Sequence, residues 1–286
     1  MKRIIALLTA IFAVCLVINV YAEEPAPAAA PAPAAEAAPA AAAAPAAAAA
    51  PAPDVTGSVS LTGLNRYIFR GAELGSKSVI LEPSVTINYK GFSLNVWGNM
   101  DTDQHTTQAF TGNGQKSWNE TDLTLSYTYN IDKLALTGGY IYYGTNYTQQ
   151  TQEIYVSGTY DMIAHPTLSI YRDIDAHPGT YVNLSFSQSL PVYKLSTGDV
   201  TVDLGAGFGY YHVDDSGEKY SALHDGNVKV GLTIPVAKNV VVQPFVQEWF
   251  PLSGTAHHDA TQVNHANPAG HIDQTFVYGL GTTLSF

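Results

Sequence analysis

Polar and apolar residues alternate along most of the chain after residue 54, and this alternation is the feature that most constrains the fold. In the segment 79–90, the odd-numbered residues from Val79 to Tyr89 are apolar or aromatic, apart from one proline. The even-numbered residues of the same segment include Glu82 and Lys90. A period of two places successive side chains on opposite faces of a β-strand. The pattern therefore predicts strands with one apolar face and one polar face.

Twelve segments show this alternation, and we predict that each is a strand. They are 58–70, 79–90, 92–101, 120–130, 134–144, 152–161, 166–173, 180–190, 199–211, 222–234, 239–249 and 273–286. The connections between them alternate between short links and longer loops, beginning with a long loop at 71–78. Antiparallel barrels of the bacterial outer membrane have short turns on one side and long loops on the other. We therefore predict an all-β fold, an antiparallel transmembrane β-barrel of about twelve strands.

A soluble β-sandwich or barrel also has alternating strands, so a second feature is needed to separate the alternatives. Only 13% of the residues are charged, whereas tyrosine alone numbers 18. Rings with a polar tip favour the boundary between water and lipid. We predict an outward aromatic girdle beside the short turns, made of Tyr89, Phe92, Tyr127, Tyr129 and Tyr160. A second girdle toward the long loops is predicted from Tyr67, Phe69, Tyr140, Tyr142, Tyr210, Phe276 and Tyr278.

The first 53 residues differ in composition from the predicted barrel. Residues 1–22 combine Lys2 and Arg3 with an apolar run that ends in a small residue, which is typical of a cleaved signal peptide. A membrane anchor helix is the alternative, because the apolar run reaches the lower length limit for a span. Residues 23–53 are almost entirely Ala and Pro, which predicts a disordered periplasmic linker, with a tolerated low-complexity insertion as the alternative. The barrel domain is then 54–286.

Charge and cysteine content exclude several kinds of partner. The formal net charge is −11, from 13 basic and 24 acidic residues. Loss of Lys2 and Arg3 with the signal peptide gives 11 − 24 = −13, so we expect no binding to nucleic acid. The one cysteine, Cys15, lies inside the predicted signal peptide. The mature chain would therefore have neither a disulfide nor a thiolate site, and we expect no cofactor.

One stretch resembles a known family. The sequence from Leu64 to Gly71 contains Tyr-Ile-Phe-Arg-Gly, and a Trp-Gly pair follows at 97–98. These elements resemble the TorF-type porins of proteobacteria, a largely uncharacterised family, and the match covers residues 64–99. The resemblance implies a barrel porin in the outer membrane of a Gram-negative bacterium, without naming a solute. The terminal Phe286 resembles the signal by which such proteins engage the barrel assembly machinery.

The polar faces of the strands predict which side chains line the lumen. The candidates are Arg66, Arg70, Glu82, Asp122, Glu153, Asp203 and Lys229, with the aromatic residues Trp97, Tyr143, Tyr155, Tyr181, Tyr211 and Phe245. Opposite charges on the wall would orient a small solute in passage. The alternative is that these groups pair with one another and plug the barrel. Twelve strands should leave a narrow path or none, because eight strands are filled by side chains and sixteen leave a channel.

We therefore expect passive passage of small solutes, with both termini in the periplasm and with outer-membrane lipid around the barrel. One alternative is a non-conducting barrel that displays its loops or tethers the envelope. Another is weak metal capture by the histidines of the last loop, which are His257, His258, His265 and His271. The sequence contains no Gly-x-Ser-x-Gly or His-Glu-x-x-His motif, so we expect no enzymatic activity.

Overall fold

A computed structural model describes residues 55–106, 112, 114–146, 148–213, 220–258 and 272–286. The predicted signal peptide with Cys15 and the predicted Ala/Pro linker lie outside the described residues. The described chain forms twelve strands: β1 Val55–Phe69, β2 Ala72–Tyr89, β3 Phe92–Asp101, β4 Ser117–Ile131, β5 Leu134–Thr145, β6 Thr151–Tyr160, β7 Thr167–Asp173, β8 Gly179–Leu195, β9 Gly198–Val213, β10 Tyr220–Ala237, β11 Val240–Pro251 and β12 Thr275–Ser285. One short helix, α1 (Gly254–His258), follows β11. No helix among the described residues has the length and hydropathy needed to cross a bilayer.

Each strand pairs with its neighbours in the chain, and β12 returns to β1, so the sheet is a closed antiparallel barrel. The closing pair runs from Ser58 opposite Ser285 to Leu64 opposite Gly279. Beyond it, the backbone amides of Gly57 and Phe286 each donate to the other residue's carbonyl oxygen, over 2.8 and 2.9 Å. The predicted all-β class and strand number are confirmed.

The two ends of the barrel differ, and we call them the turn end and the loop end. The turn end carries the connection at Lys90 and Gly91, four further short links, and both ends of the described barrel. At the loop end, β3, β5, β7, β9 and β11 end and the next strand of each begins; the intervening stretches of sequence are 102–116, 146–150, 174–178, 214–219 and 252–274. The predicted alternation of short and long connections is confirmed at most positions, although the link 161–166 at the turn end is slightly longer than the connections 146–150 and 174–178 at the loop end.

The clearest exception is the predicted loop at 71–78. β2 begins at Ala72, so only Arg70 and Gly71 separate it from β1. Both residues have positive φ, 48° and 81°, as a type I′ hairpin turn requires. The prediction was wrong because β2 is irregular here. Arg66 faces Ser76 and Leu64 faces Ile80, so a bulge at 77–79 interrupts the alternation that marks a strand.

The outer surface of the barrel is a continuous band of exposed apolar side chains. Among its members are Leu61, Val85, Leu94, Leu125, Leu136, Val156, Leu168, Leu184, Val230, Val246 and Leu280. A soluble protein seldom exposes an apolar area of this extent. An outward apolar band is what a transmembrane barrel presents to lipid.

Most of the predicted girdle residues lie on this outer face. The exposed ones are Tyr89, Phe92, Tyr127, Tyr129, Tyr160, Phe276 and Tyr278. Tyr140 and Tyr142 are half-buried, and their hydroxyls donate to Gln152 over 2.7 Å and to Gln150 over 2.5 Å.

Phe69 and Tyr67 do not lie on the outer face, and their prediction as girdle residues was wrong. Tyr67 is buried against Trp97, with ring centroids 5.5 Å apart. Phe69 packs edge-on against Tyr143 at 6.0 Å. The register of β1 shifts twice, after Leu64 and after Tyr67, and a bulge changes which face the following side chains occupy.

The apolar band predicts how a charge will act on the outer surface. Val156 lies at the middle of β6 and is 58% exposed, whereas Ile163, in the turn after β6, is 70% exposed. Val156→Arg should lower the free energy of unfolding by about 2–4 kcal/mol, the cost of Arg near the bilayer midplane. Ile163→Arg should lower it by about 0–1 kcal/mol. Denaturant unfolding in lipid vesicles measures both, and equal effects would mean that the band does not face lipid.

Candidate functional site: the barrel lumen

Buried side chains fill the barrel interior toward the loop end. At their centre is Arg70, which the tight turn between β1 and β2 directs back into the barrel. It is 5% exposed although it lies at a hairpin tip. We call this group the Arg70 cluster, and its members are Arg70, Tyr143, Glu153, Tyr171, Tyr181 and Asp225.

An ion pair with Glu153 holds the Arg70 guanidinium. Its two terminal nitrogens each donate to a different oxygen of the Glu153 carboxylate, both over 2.8 Å. The Tyr143 hydroxyl donates to the same carboxylate over 2.9 Å. A bidentate Arg–carboxylate pair has fixed geometry as well as strength. β6 stands five strands from β1 in the ring of twelve, so this pair crosses the lumen.

Aromatic rings surround the guanidinium on its remaining sides. Its central carbon lies 4.4 Å from the ring centroid of Tyr181, 4.8 Å from that of Phe69 and 5.1 Å from that of Tyr171. These distances are within the range of cation–π attraction. Tyr155 extends the group by stacking on Tyr171, with centroids 5.3 Å apart. The rings hold Arg70 in one position and exclude solvent from the ion pair.

Asp225 belongs to the cluster but was not predicted from the sequence. The Tyr181 hydroxyl lies 3.1 Å from both of its carboxylate oxygens, and Asp225 is fully buried. The neighbouring His224 is also fully buried, and its Nδ1 lies 2.6 Å from the Tyr220 hydroxyl. A register shift between Leu223 and Gly226 brings both residues inside, and a strict period of two cannot reveal such a shift.

Toward the turn end, the lining changes to hydroxyl side chains and two half-buried charges. Asp203 accepts hydrogen bonds from the hydroxyls of Ser189 over 2.6 Å, Thr201 over 2.9 Å and Thr233 over 2.6 Å. The ammonium nitrogen of Lys229 lies 3.9 Å from the ring centroid of Phe245. The facing wall is formed by Thr124, Ser126, Thr137, Ser157, Thr159 and Ser169.

The structure brings together only some of the predicted lumen residues. Arg70, Glu153, Tyr155 and Tyr181 meet in or beside the Arg70 cluster. Three others, Trp97, Glu82 and Asp122, are buried on the wall formed by β2 to β4. Arg66 forms its ion pair with Glu73 of the same hairpin instead. Asp203 and Lys229 lie farther toward the turn end.

Of the four histidines considered as metal ligands, only His257 has a described side chain. Its Nδ1 lies 3.1 Å from the carbonyl oxygen of Ile272 and 3.9 Å from a carboxylate oxygen of Asp273. The side chain of His258, and all of His265 and His271, lie outside the described residues. Within the described part of the chain, no three His, Cys, Asp or Glu residues are grouped as metal ligands.

Comparison with solved structures places this fold among outer-membrane barrels. The NanC porin aligns over 79% of this chain and 98% of its own, with a TM-score of 0.51 and 10% identity. The KdgM porin covers 80% of this chain and 99% of its own, with a TM-score of 0.44 and 13% identity. An outer membrane channel from Pseudomonas putida F1 covers 83% and 97%, with a TM-score of 0.47 and 9% identity. No protein-family model matches the chain, and no curated protein matches its sequence.

The strand topology and the similarity to the NanC porin establish the class of fold, a closed antiparallel barrel like those of the outer membrane. At 10% identity this similarity carries no information about the solute. The lining residues of this chain must supply that argument.

The buried ion pair predicts a strong energetic coupling. Arg70→Met should lower the free energy of unfolding by about 3–5 kcal/mol, because it leaves the Glu153 carboxylate buried without its cation. The double variant Arg70→Met/Glu153→Gln should lose less than the sum of the two single losses. A double-mutant cycle by denaturant unfolding measures this difference, which should be about 0.5–3 kcal/mol. Additive losses would show that the two groups do not depend on each other.

The turn that directs Arg70 inward predicts a requirement for glycine. A Cβ at Gly71 would lie 2.9 Å from both Asp225 Cβ and Ile272 Cδ1, in addition to its φ of 81°. Gly71→Ala should therefore cost at least about 1–3 kcal/mol from backbone strain alone. Gly138→Ala is the control, because a Cβ there meets nothing within 4 Å. The temperature at which each variant loses its folded, heat-modifiable band on a detergent gel should fall for Gly71→Ala only.

Proposed function

We propose that the protein is a narrow channel for passive passage of small solutes across the outer membrane of a Gram-negative bacterium. The observation that carries this proposal is the division of the barrel into an apolar exterior and an interior lined by charged, amide and hydroxyl groups. The turn end, with both ends of the described barrel, would face the periplasm.

The Arg70 cluster is the proposed constriction. Arg70 and Glu153 form a contact ion pair that crosses the lumen and narrows it, and the field of this pair would orient a dipolar solute that passes beside it. The rings of Phe69, Tyr171 and Tyr181 keep the guanidinium from swinging aside. Solutes would therefore be selected by size and polarity at this level, and would meet a hydroxyl-lined passage beyond it.

Membership of the TorF-type porins is part of the same proposal. The segment that carries the resemblance, with Tyr67, Phe69, Arg70 and Gly71, is the segment that builds the Arg70 cluster. If the family shares this segment, its other members would have the same constriction. The proposed partners are outer-membrane lipid around the apolar band and the barrel assembly machinery, which would engage β12 with its terminal Phe286.

A non-conducting barrel is the second candidate, because the Arg70 cluster is buried almost completely. Seven of its side chains and immediate neighbours are at most 8% exposed: Arg70, Tyr143, Glu153, Tyr155, Tyr171, Tyr181 and Asp225. In this alternative the cluster is a permanent plug, and the barrel displays its loops or tethers the envelope.

Single-channel recording in planar bilayers distinguishes the two candidates. The wild-type protein should show discrete steps, and Arg70→Ala/Glu153→Ala should show larger ones because the pair no longer narrows the lumen. The control is Asp132→Ala/Lys133→Ala, which removes an opposite pair of charges from an exposed turn and should leave the step size unchanged. Steps in the double variant but none in the wild type would favour the plug. No steps in either protein would refute transport.

A further inference from the structure

A group of hydrogen-bond acceptors lies on the lumen wall where β2, β3 and β4 run side by side. Asn99 of β3 pairs with Glu120 of β4. Because Leu81 of β2 pairs with Met100 of β3, the next residue of β2, Glu82, lies beside Asn99. Asp122 follows Glu120 on the same face of β4. All four side chains are at most 6% exposed. We call Glu82, Asn99, Glu120 and Asp122 the carboxylate pocket.

The pocket contains acceptor oxygens that nothing in the described structure satisfies. Oδ1 of Asp122 is buried and has no hydrogen-bond partner among the described residues. Asn99 donates through Nδ2 to Asn119 over 2.7 Å, whereas its own Oδ1 also lacks a described partner. Nearby on β3, Oδ2 of the fully buried Asp101 also has no hydrogen-bond partner among the described residues. Buried polar atoms are nearly always paired, so these oxygens point to a ligand that supplies positive charge or donors.

The charge of the interior points to the same kind of ligand. The buried carboxylates among the described residues number seven: Glu82, Asp101, Glu120, Asp122, Glu153, Asp173 and Asp225. Arg70 is the one Lys or Arg buried to the same degree among those residues, and its guanidinium is bound to Glu153. Lys229 is half-buried, lies over the Phe245 ring, and is close enough to Glu82 and Asp203 to offset part of their charge. An excess of buried negative charge is stable only when it is neutralised.

We propose that the carboxylate pocket is a binding station for a monovalent cation in transit, and that it makes the lumen selective for cations. The inference rests on the proposed channel and names its class of solute. Rings of Asp and Glu are what selects cations in channels. The station would hold an alkali ion or a protonated amine loosely as it passes, since no three His, Cys, Asp or Glu residues in the described part of the chain are grouped closely enough to chelate a metal.

The reversal potential under a tenfold KCl gradient tests this proposal. The reversal potential of wild-type channels should approach the limit for a perfectly cation-selective pore, which is about 59 mV for a singly charged ion. The triple variant Glu82→Gln/Glu120→Gln/Asp122→Asn keeps the side-chain volumes and should move the reversal potential toward zero. The matched control Asp132→Asn/Asp175→Asn/Asp199→Asn removes three exposed carboxylates and should behave as the wild type.

Replacing KCl by methylammonium chloride separates the two cation classes. If the reversal potential keeps the sign of a cation-selective channel, the station also accepts protonated amines. If the current is lost, the station accepts alkali ions only. If the triple variant does not fold, Glu82→Gln and Asp122→Asn are measured singly, and each should give part of the shift.

The proposal is overturned if wild-type channels are unselective or prefer anions, or if the pocket variants match the wild type. Each of these results would overturn only the cation station, and the proposed passage of small solutes would still stand. Absence of any discrete step in the wild type would instead refute the channel itself, and the station with it.

Discussion

The pairing of β12 with β1 is the interaction on which the rest of the structure depends. In a bilayer no water is present to satisfy a backbone group, so a sheet can cross only if it has no open edge. The contacts from Ser58 with Ser285 to Leu64 with Gly279 remove the last edge, and the terminal Phe286 extends the seam to Gly57. Once closed, the barrel can expose an apolar exterior, and its polar side chains are confined to the lumen.

This confinement explains the organisation of the interior. A guanidinium that leaves bulk water must be neutralised and hydrogen-bonded where it arrives. Arg70 satisfies this through Glu153 and the surrounding rings, and it reaches them because the Arg70–Gly71 turn points back into the barrel. The two register shifts of β1 turn Tyr67 and Phe69 inward as well. The irregular β1–β2 hairpin therefore supplies the side chains that narrow the lumen at the loop end.

Local periodicity predicted the strands because a period of two is imposed by the backbone of each strand separately. The same rule failed at bulges, where one extra residue reverses the faces. That failure placed Phe69 on the outer surface and 71–78 in a loop, and it concealed Asp225. The pairing of Arg70 with Glu153 lay beyond any local rule, because 83 residues separate them and only closure of the barrel brings them together. The sequence could therefore name lumen candidates but not show which of them meet.

The same reasoning explains how a barrel of this shape resembles the NanC porin at 10% identity. Outward positions require only that a side chain be apolar, and short turns require only a compatible backbone, so many sequences satisfy the fold. The lining is under a different constraint, because each buried charge must find its partner inside the lumen. Two barrels can therefore share strand number and closure while their interiors carry opposite charge. In this chain the interior is acidic and Arg70 is occupied by Glu153, and a field of that sign opposes the entry of anions.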